Sequence, residues 1–277
     1  SPLACGYSIV MKLSTRRLLL AAITTLWLEA QVVRAADLSE EFSALSADIK
    51  AASQQLSRHL NRAAAGQSHL LGDVFDAFIP IELQMQIRAD LAFIQAVQGN
   101  EASPLHQQFL GPVNGLAYLQ FFTSRVKAIS LDSSDDPGGM VYMRPFVDHP
   151  KMFLTPNYTK FNPPQIARLM LLFHESRHTE AAQHYWLHTR CPWPFQDEKG
   201  RDIRSIWSGE LLASESACDN TPLGGYGISV IMLKNIQKFC VNCADKVKMD
   251  AGIYADDQIK RIIDPAARKA LLDDLYP

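Results

Sequence analysis

The chain reads as an α+β, mostly helical protein with a small sheet placed just before a histidine-bearing helix. Two patterns predict this. Apolar residues recur at helical spacing through the N-terminal part and again from about residue 163 to the end. Between them, "RVKAISLD", "GGMVYMRPF" and "KMFLTPNYT" are short, rich in β-branched and aromatic residues, and separated by "SSDDPGG" and "DHP". They read as two or three strands of one sheet.

Taken in order, residues 1–35 are expected to stand outside the fold. From Met11, the basic residues Lys12, Arg16 and Arg17 precede an apolar run from Leu18 to Leu28. Val33 and Ala35 then occupy the −3 and −1 positions of a small-residue cleavage site, the pattern of a secretory signal peptide. The ten residues before Met11 read as upstream translated sequence, and the mature protein is expected to start near Ala36 or Asp37. The run is short for a membrane span, and no later segment is long and apolar enough for one. Residues 36–125 are expected to form a helical N-terminal lobe. One helix covers Leu38 to about Ala65, with Phe42, Leu45, Ile49 and Leu56 on one face. A second covers Val74–Val97, broken at Pro80, and a short one covers Leu116–Val126, with a loop over 98–114. Residues 126–277 form the second region. After the strands, "NPPQ" offers Asn162 as an N-cap and Pro163 for the first turn of a helix running to about His184. Helical patterns follow near 202–217, 225–239, 244–262 and 265–275.

Composition narrows the partners. A net charge of −2, from 27 basic and 29 acidic residues, gives no basic surplus for nucleic acid. Once a signal peptide is removed, four cysteines remain: Cys191, Cys218, Cys240 and Cys243. An even number in an exported protein favours two disulfides, and locality suggests Cys191–Cys218 with Cys240–Cys243. A redox role for "CVNC" lacks the strand-to-helix setting of a thioredoxin-like motif.

The chemistry concentrates in "LMLLFHESRHTEAAQHYWLH", residues 169–188. His174-Glu175-Ser176-Arg177-His178 is an HExxH sequence. On a helix, positions i and i+4 share a face one turn apart, so two imidazoles can grip one ion. Glu175 is turned about 100° from His174 and can reach a water beside that ion without ligating it. The lead-in "IARLMLLF" is apolar all round, as expected of a buried helix, and polar groups at the end of such a helix need partners. A metal site supplies them.

A catalytic zinc commonly has three protein ligands and one open position. In an unbroken helix His184 points about 120° away from His178, and His188 lies about 15 Å further along the axis. Both are then expected at the rim unless the helix breaks early. Downstream, Glu215 and Asp219 in "GELLASESACDN" form E-x-x-x-D, one turn apart on a predicted helix.

With these residues the protein resembles the zincin metallopeptidases, and the gluzincins in particular. That resemblance implies Glu215 as third ligand and Asp219 as the carboxylate bracing a zinc-binding histidine. The aspzincin branch offers the opposite assignment, with Asp219 ligating and Tyr226-Gly227 following at a stretched distance. The metzincin pattern HExxHxxGxxH places a histidine where His184 stands, but its turning glycine is Ala181 here. A Cys191–Cys218 bridge would draw the carboxylates toward the HExxH helix under either assignment. The resemblance further implies one catalytic Zn²⁺, Glu175 as general base, a cleft between lobes, and an edge strand that pairs with extended peptide, for which "KMFLTPNYT" is in the right place. Tyr226, in "GGYG", is the first candidate for an oxyanion donor, ahead of Arg177, His184 and His188. Arg177 is expected to pair with Asp219, Glu180 or Glu215.

Two accounts follow. One is a secreted or periplasmic zinc-dependent hydrolase, a metallopeptidase acting on peptide or protein substrates, with no nucleic acid partner and no membrane after signal cleavage. The alternative is a non-enzymatic exported helical protein with a structural metal site or no metal.

Overall fold

The computed structural model describes residues 74–132, 139–148 and 150–276. The expected signal peptide and the helix expected from Leu38 to Ala65 lie outside these residues. The described part is α+β and mostly helical, with one three-stranded sheet.

Helix α1, Ile81–Ala96, begins at Pro80, which lacks the N–H a helix interior requires and so sets the break. Helix α2, Pro104–Phe109, is a single capped turn and a half, with Ser103 accepting from the His106 N–H. Sequence spacing predicts a loop over this stretch; a six-residue helix is too short to show apolar periodicity. Helix α3, Gly115–Arg125, is capped by Asn114, whose side chain accepts from the Ala117 N–H.

Strand β1, Ala128–Leu131, pairs in parallel with β3, Lys151–Leu154, and β2, Val141–Met143, pairs antiparallel with β3. The order is β1-β3-β2, so "KMFL" is the central strand. This corrects the expectation that it forms the edge; among the described residues the outer edge on that side belongs to β2.

A short helix α4, Pro156–Lys160, leads to α5, Gln165–Arg177, which carries the histidine motif. Its cap is Pro164, not Asn162, which adopts a left-handed φ of 41° two residues earlier. Leu169, Leu172 and Phe173 of α5 are wholly buried, and Phe173 stacks on Phe121 of α3 with ring centroids 5.7 Å apart. Burying each such side chain contributes roughly 1.5–3 kcal/mol. Arg168 adds a buried ion pair to Asp90 of α1, with Nε 2.6 Å from the carboxylate. The helix is thus fixed along its length, and its histidine-bearing end is presented at a defined place.

Beyond Arg177 the structure departs from expectation. The helix does not reach His184; His178 is its C-cap, and a 3-10 segment, Ala181–Trp186, follows. Nor is 202–217 helical. It is a loop held by isolated bridges between Gln196 and Asp202, Arg204 and Leu211, and Thr189 and Cys218. Gly209 and Ser214 have φ of 75° and 68° there, which no helix accommodates. Disulfides join Cys191 to Cys218 and Cys240 to Cys243, as locality suggests. Helices α6 (Gly225–Phe239), α7 (Asp245–Gln258) and α8 (Pro265–Leu275) follow, with a 3-10 turn at Ile259–Arg261. One apolar core runs from Phe75 through α5 and α6 to Leu275. Among the described residues no helix is long and apolar enough to cross a membrane.

Candidate metal centre

His174 and His178 lie one turn apart at the end of α5, with ring centroids 5.3 Å apart. The third imidazole is His188. Its Nε2 is 3.0 Å from His174 Nε2, and one nitrogen from each of the three rings lies within 4.8 Å of the other two. Among the described residues this is the one group of histidine, cysteine or carboxylate side chains placed to hold a metal ion.

The route by which His188 arrives explains why sequence spacing misplaces it. After His178 the backbone reverses through His184, Tyr185 and Trp186, three consecutive residues with φ between 48° and 58°. Left-handed backbone at non-glycine residues is costly and persists only where surrounding contacts fix it. Glu180 supplies them. Its carboxylate accepts from Arg125 Nε at 2.8 Å, Arg177 Nη1 at 2.6 Å and Trp186 Nε1 at 2.7 Å. Its carbonyl accepts the N–H groups of Gln183 and Tyr185. Arg177 is therefore committed to Glu180 and to the Leu223 carbonyl, and its guanidinium covers the Trp186 ring. The reversed segment brings the Tyr185 carbonyl to His178 Nδ1 at 2.8 Å and places His188 against both motif histidines.

The outer nitrogens are also held. His188 Nδ1 donates to Asp219 at 2.7 Å, and His178 Nδ1 donates to Tyr185. Each bond fixes the tautomer that leaves Nε2 unprotonated toward the cluster. Burial pushes His174 well below the ordinary imidazole range, and the neighbouring rings of His188 and His178 push the same way. His178 is lowered to about 4, again chiefly by burial and then by His188. Burial thus favours the neutral form of His174 and His178, the form that binds metals. For Zn–N bonds of about 2.0–2.1 Å, tetrahedral ligation sets nitrogens about 3.3 Å apart, close to the observed His174–His188 spacing. The donor set fits such an ion.

Glu175 stands beside this group, its carboxylate oxygen 3.9 Å from His174 Nε2. Burial pushes its carboxyl up to about 8, opposed by a hydrogen bond from the Met143 backbone at the end of β2.

Asp219 reaches the site by a different path from the one the sequence suggests. It lies in no helix. Its N–H donates to the Arg261 carbonyl and its own carbonyl accepts from Ile263, while Cys218 beside it is tied to Cys191. Its carboxylate accepts from His188 and, at the N-terminus of α6, from the Tyr226 N–H at 3.2 Å. A carboxylate is favoured at that end of a helix. Asp219 thus touches His188 of the cluster and is not itself among the grouped donor atoms. Glu215 is exposed and outside the cluster, because the helix that would have carried it is absent. His184 is exposed on the turn.

Tyr226 is buried with its ring 4.5 Å from that of His174 and 4.7 Å from that of His188. Two glycines make this approach possible. A Cβ on Gly225 would lie 2.7 Å from His174 Nε2, and one on Gly224 would lie 2.4 Å from the Asp219 carboxylate. Arg261, which sequence reasoning missed, donates from Nη1 to the Tyr226 hydroxyl at 3.0 Å. No motif marks it; only the fold brings it there.

An open pocket of about 810 Å³ is lined by Glu180 and its partners Arg125, Arg177 and Trp186, with Lys127 among others, and does not include the three imidazoles. The fold and site together define an α+β protein with a three-histidine cluster in which His174 and His178 are buried and His188 is half-buried. No family model matches it, and neither a curated protein nor a solved structure does.

Proposed function

We propose that the protein is an exported zinc-dependent hydrolase that cleaves peptide bonds. The observation that carries this reading is the convergence of His174, His178 and His188 with the Glu175 carboxylate beside them. These three imidazoles would hold the ion, and a set of three protein ligands is that of catalytic rather than structural zinc. A zinc ion held there supplies a Lewis acid for a carbonyl and makes a water acidic near neutral pH. Glu175 takes the proton of the attacking water and passes it to the leaving amine. Tyr226 offers its hydroxyl to the oxyanion that develops on the substrate carbonyl. Strand β2, with Met143 adjoining Glu175, presents an outer edge along which an extended peptide can pair. The signal-like N-terminus and the two disulfides support export to an oxidising compartment.

The test is Glu175→Gln. The variant is expected to bind zinc as the wild type does while losing cleavage of an unfolded protein substrate by at least about a hundredfold, the lower range for a general base. Full activity in that variant removes the general-base role. A zinc-binding protein without cleavage in either form favours the structural-metal alternative.

A further inference from the structure

Arg261 is 8 % exposed, in the 3-10 turn after α7. Its Nη1 donates to the Tyr226 hydroxyl, and its guanidinium carbon lies 4.9 Å from the Tyr226 ring centroid. That ring is in turn packed on His174 and His188. One tyrosine therefore separates the guanidinium from the cluster. Among the described residues the other edge of the guanidinium has no partner. Nε is buried without a hydrogen-bond partner, Nη2 has no acceptor among the described residues, and no carboxylate among them pairs with the charge.

Buried cations are ordinarily paired, since an isolated one loses its hydration without recompense. Here the missing partner has a definite chemistry. The Nε–H and Nη2–H edge is the fork that matches the two oxygens of a carboxylate. Because Arg261 donates to the Tyr226 oxygen, the phenol proton points elsewhere, and it too has no acceptor among the described residues. What this corner lacks is an acceptor, and an anionic planar one fits best.

We propose that Arg261, oriented by its bond to the Tyr226 oxygen, forms a carboxylate-binding subsite beside the His174–His178–His188 cluster, and that the substrate presents a carboxylate there. This rests on the hydrolase reading for its meaning, and its test is separable from that reading. The carboxylate can belong to the C-terminus of a peptide or to an acidic side chain, and the probes distinguish the two.

The full-length protein, treated with chelator so that no probe is turned over, is titrated by NMR with three peptides. These are acetyl-alanyl-alanine, its neutral C-terminal amide, and acetyl-glutamyl-alanine amide. At least one acidic probe is expected to bind about tenfold or more tighter than the neutral amide, the scale of a charge-assisted bidentate contact. Preference for the first acid assigns a C-terminal carboxylate; preference for the glutamyl probe assigns a side chain. Arg261→Gln should remove the preference, and Arg261→Lys should keep only part of it. Equal binding of acids and amide, binding by none, or a preference that survives Arg261→Gln overturns the proposal. If Arg261→Gln does not fold, the wild-type acid-to-amide comparison and Arg261→Lys decide it. Zinc uptake is measured on the same preparations. Carboxylate preference without zinc overturns the hydrolase reading alone, and zinc without preference overturns this subsite alone.

Discussion

The Asp219 carboxylate accepts a hydrogen bond from His188 Nδ1 at 2.7 Å, across 31 residues of sequence. This contact joins the reversed segment after α5 to the N-terminus of α6, and it orients the ring that completes the cluster. Asp219→Asn keeps the size of the side chain but loses its charge. It is expected to weaken zinc binding about 10–100-fold, the usual effect of removing a ligand's outer partner. Competition with a chromophoric chelator measures it, and an unchanged affinity would place Asp219 outside the site's energetics.

His188, Glu215 and His184 separate by their positions. His188→Ala should abolish stoichiometric zinc binding, while Glu215→Ala and His184→Ala should leave it intact, since both side chains are exposed away from the cluster. Dialysis followed by metal analysis of the three variants gives the comparison. Zinc lost in Glu215→Ala and kept in His188→Ala would restore the ligand set implied by the zincin resemblance.

Gly225→Ala tests packing at the cluster. In a first helical turn alanine is ordinarily better than glycine, by up to about 1 kcal/mol. Here its Cβ would stand 2.7 Å from His174 Nε2. The expected result is a loss of zinc affinity of about tenfold or more, since the ring must shift. Thermal unfolding of the metal-free variant serves as the control for general damage. Wild-type affinity would mean that the Gly225 backbone is not pressed on the ligand.

Acid stability has a source outside the site. His106 is buried, with Nδ1 donating to the Gly111 carbonyl and Nε2 accepting from the Tyr118 hydroxyl. Burial lowers it from 6.5 to about 4. Between these values the unfolded protein takes up a proton that the folded protein refuses, so stability rises with pH across that window. It is lost as pH falls from about 6.5 to about 4, by on the order of 3 kcal/mol at most. Urea titrations at pH 7 and pH 4.5 should show a smaller loss for His106→Gln than for the wild type. An equal loss would assign the acid sensitivity elsewhere.

Replacing Cys191 and Cys218 with serine frees a loop spanning a separation of 27 residues. Conformational entropy of the unfolded state alone predicts a loss of about 3.5 kcal/mol. Because Cys218 adjoins Asp219, zinc affinity should fall as well. The Cys240–Cys243 pair, three residues apart, constrains a far shorter loop, and its removal should leave zinc affinity unchanged.

Much of the fold was legible because its signals are local. β-Branched and aromatic residues between turn residues mark β1 to β3, Pro80 marks the break before α1, and HExxH after an apolar run marks α5, though not its end at Arg177. The third imidazole was not legible. A glycine would have marked a reversal after His178, but the backbone turns on His184, Tyr185 and Trp186, held left-handed by Glu180 and its three donors. Helical spacing near 202–217 was overridden in the same way, by Gly209, Ser214 and the bridge from Thr189 to Cys218. Asp219 carried a recognisable chemical type, yet its contact with His188 depends on that same reversal. Arg261 carries no sequence signal; a 3-10 turn 35 residues beyond Tyr226 places it.

The central claim is that His174, His178 and His188 together hold one metal ion. Zinc per molecule, measured on the purified protein beside His188→Ala after dialysis without chelator, tests it most directly. About one zinc in the wild type and none in the variant is the predicted result. No zinc in the wild type, and no uptake when zinc is offered near neutral pH, would make the cluster a packed group of histidines without a metal and contradict the account.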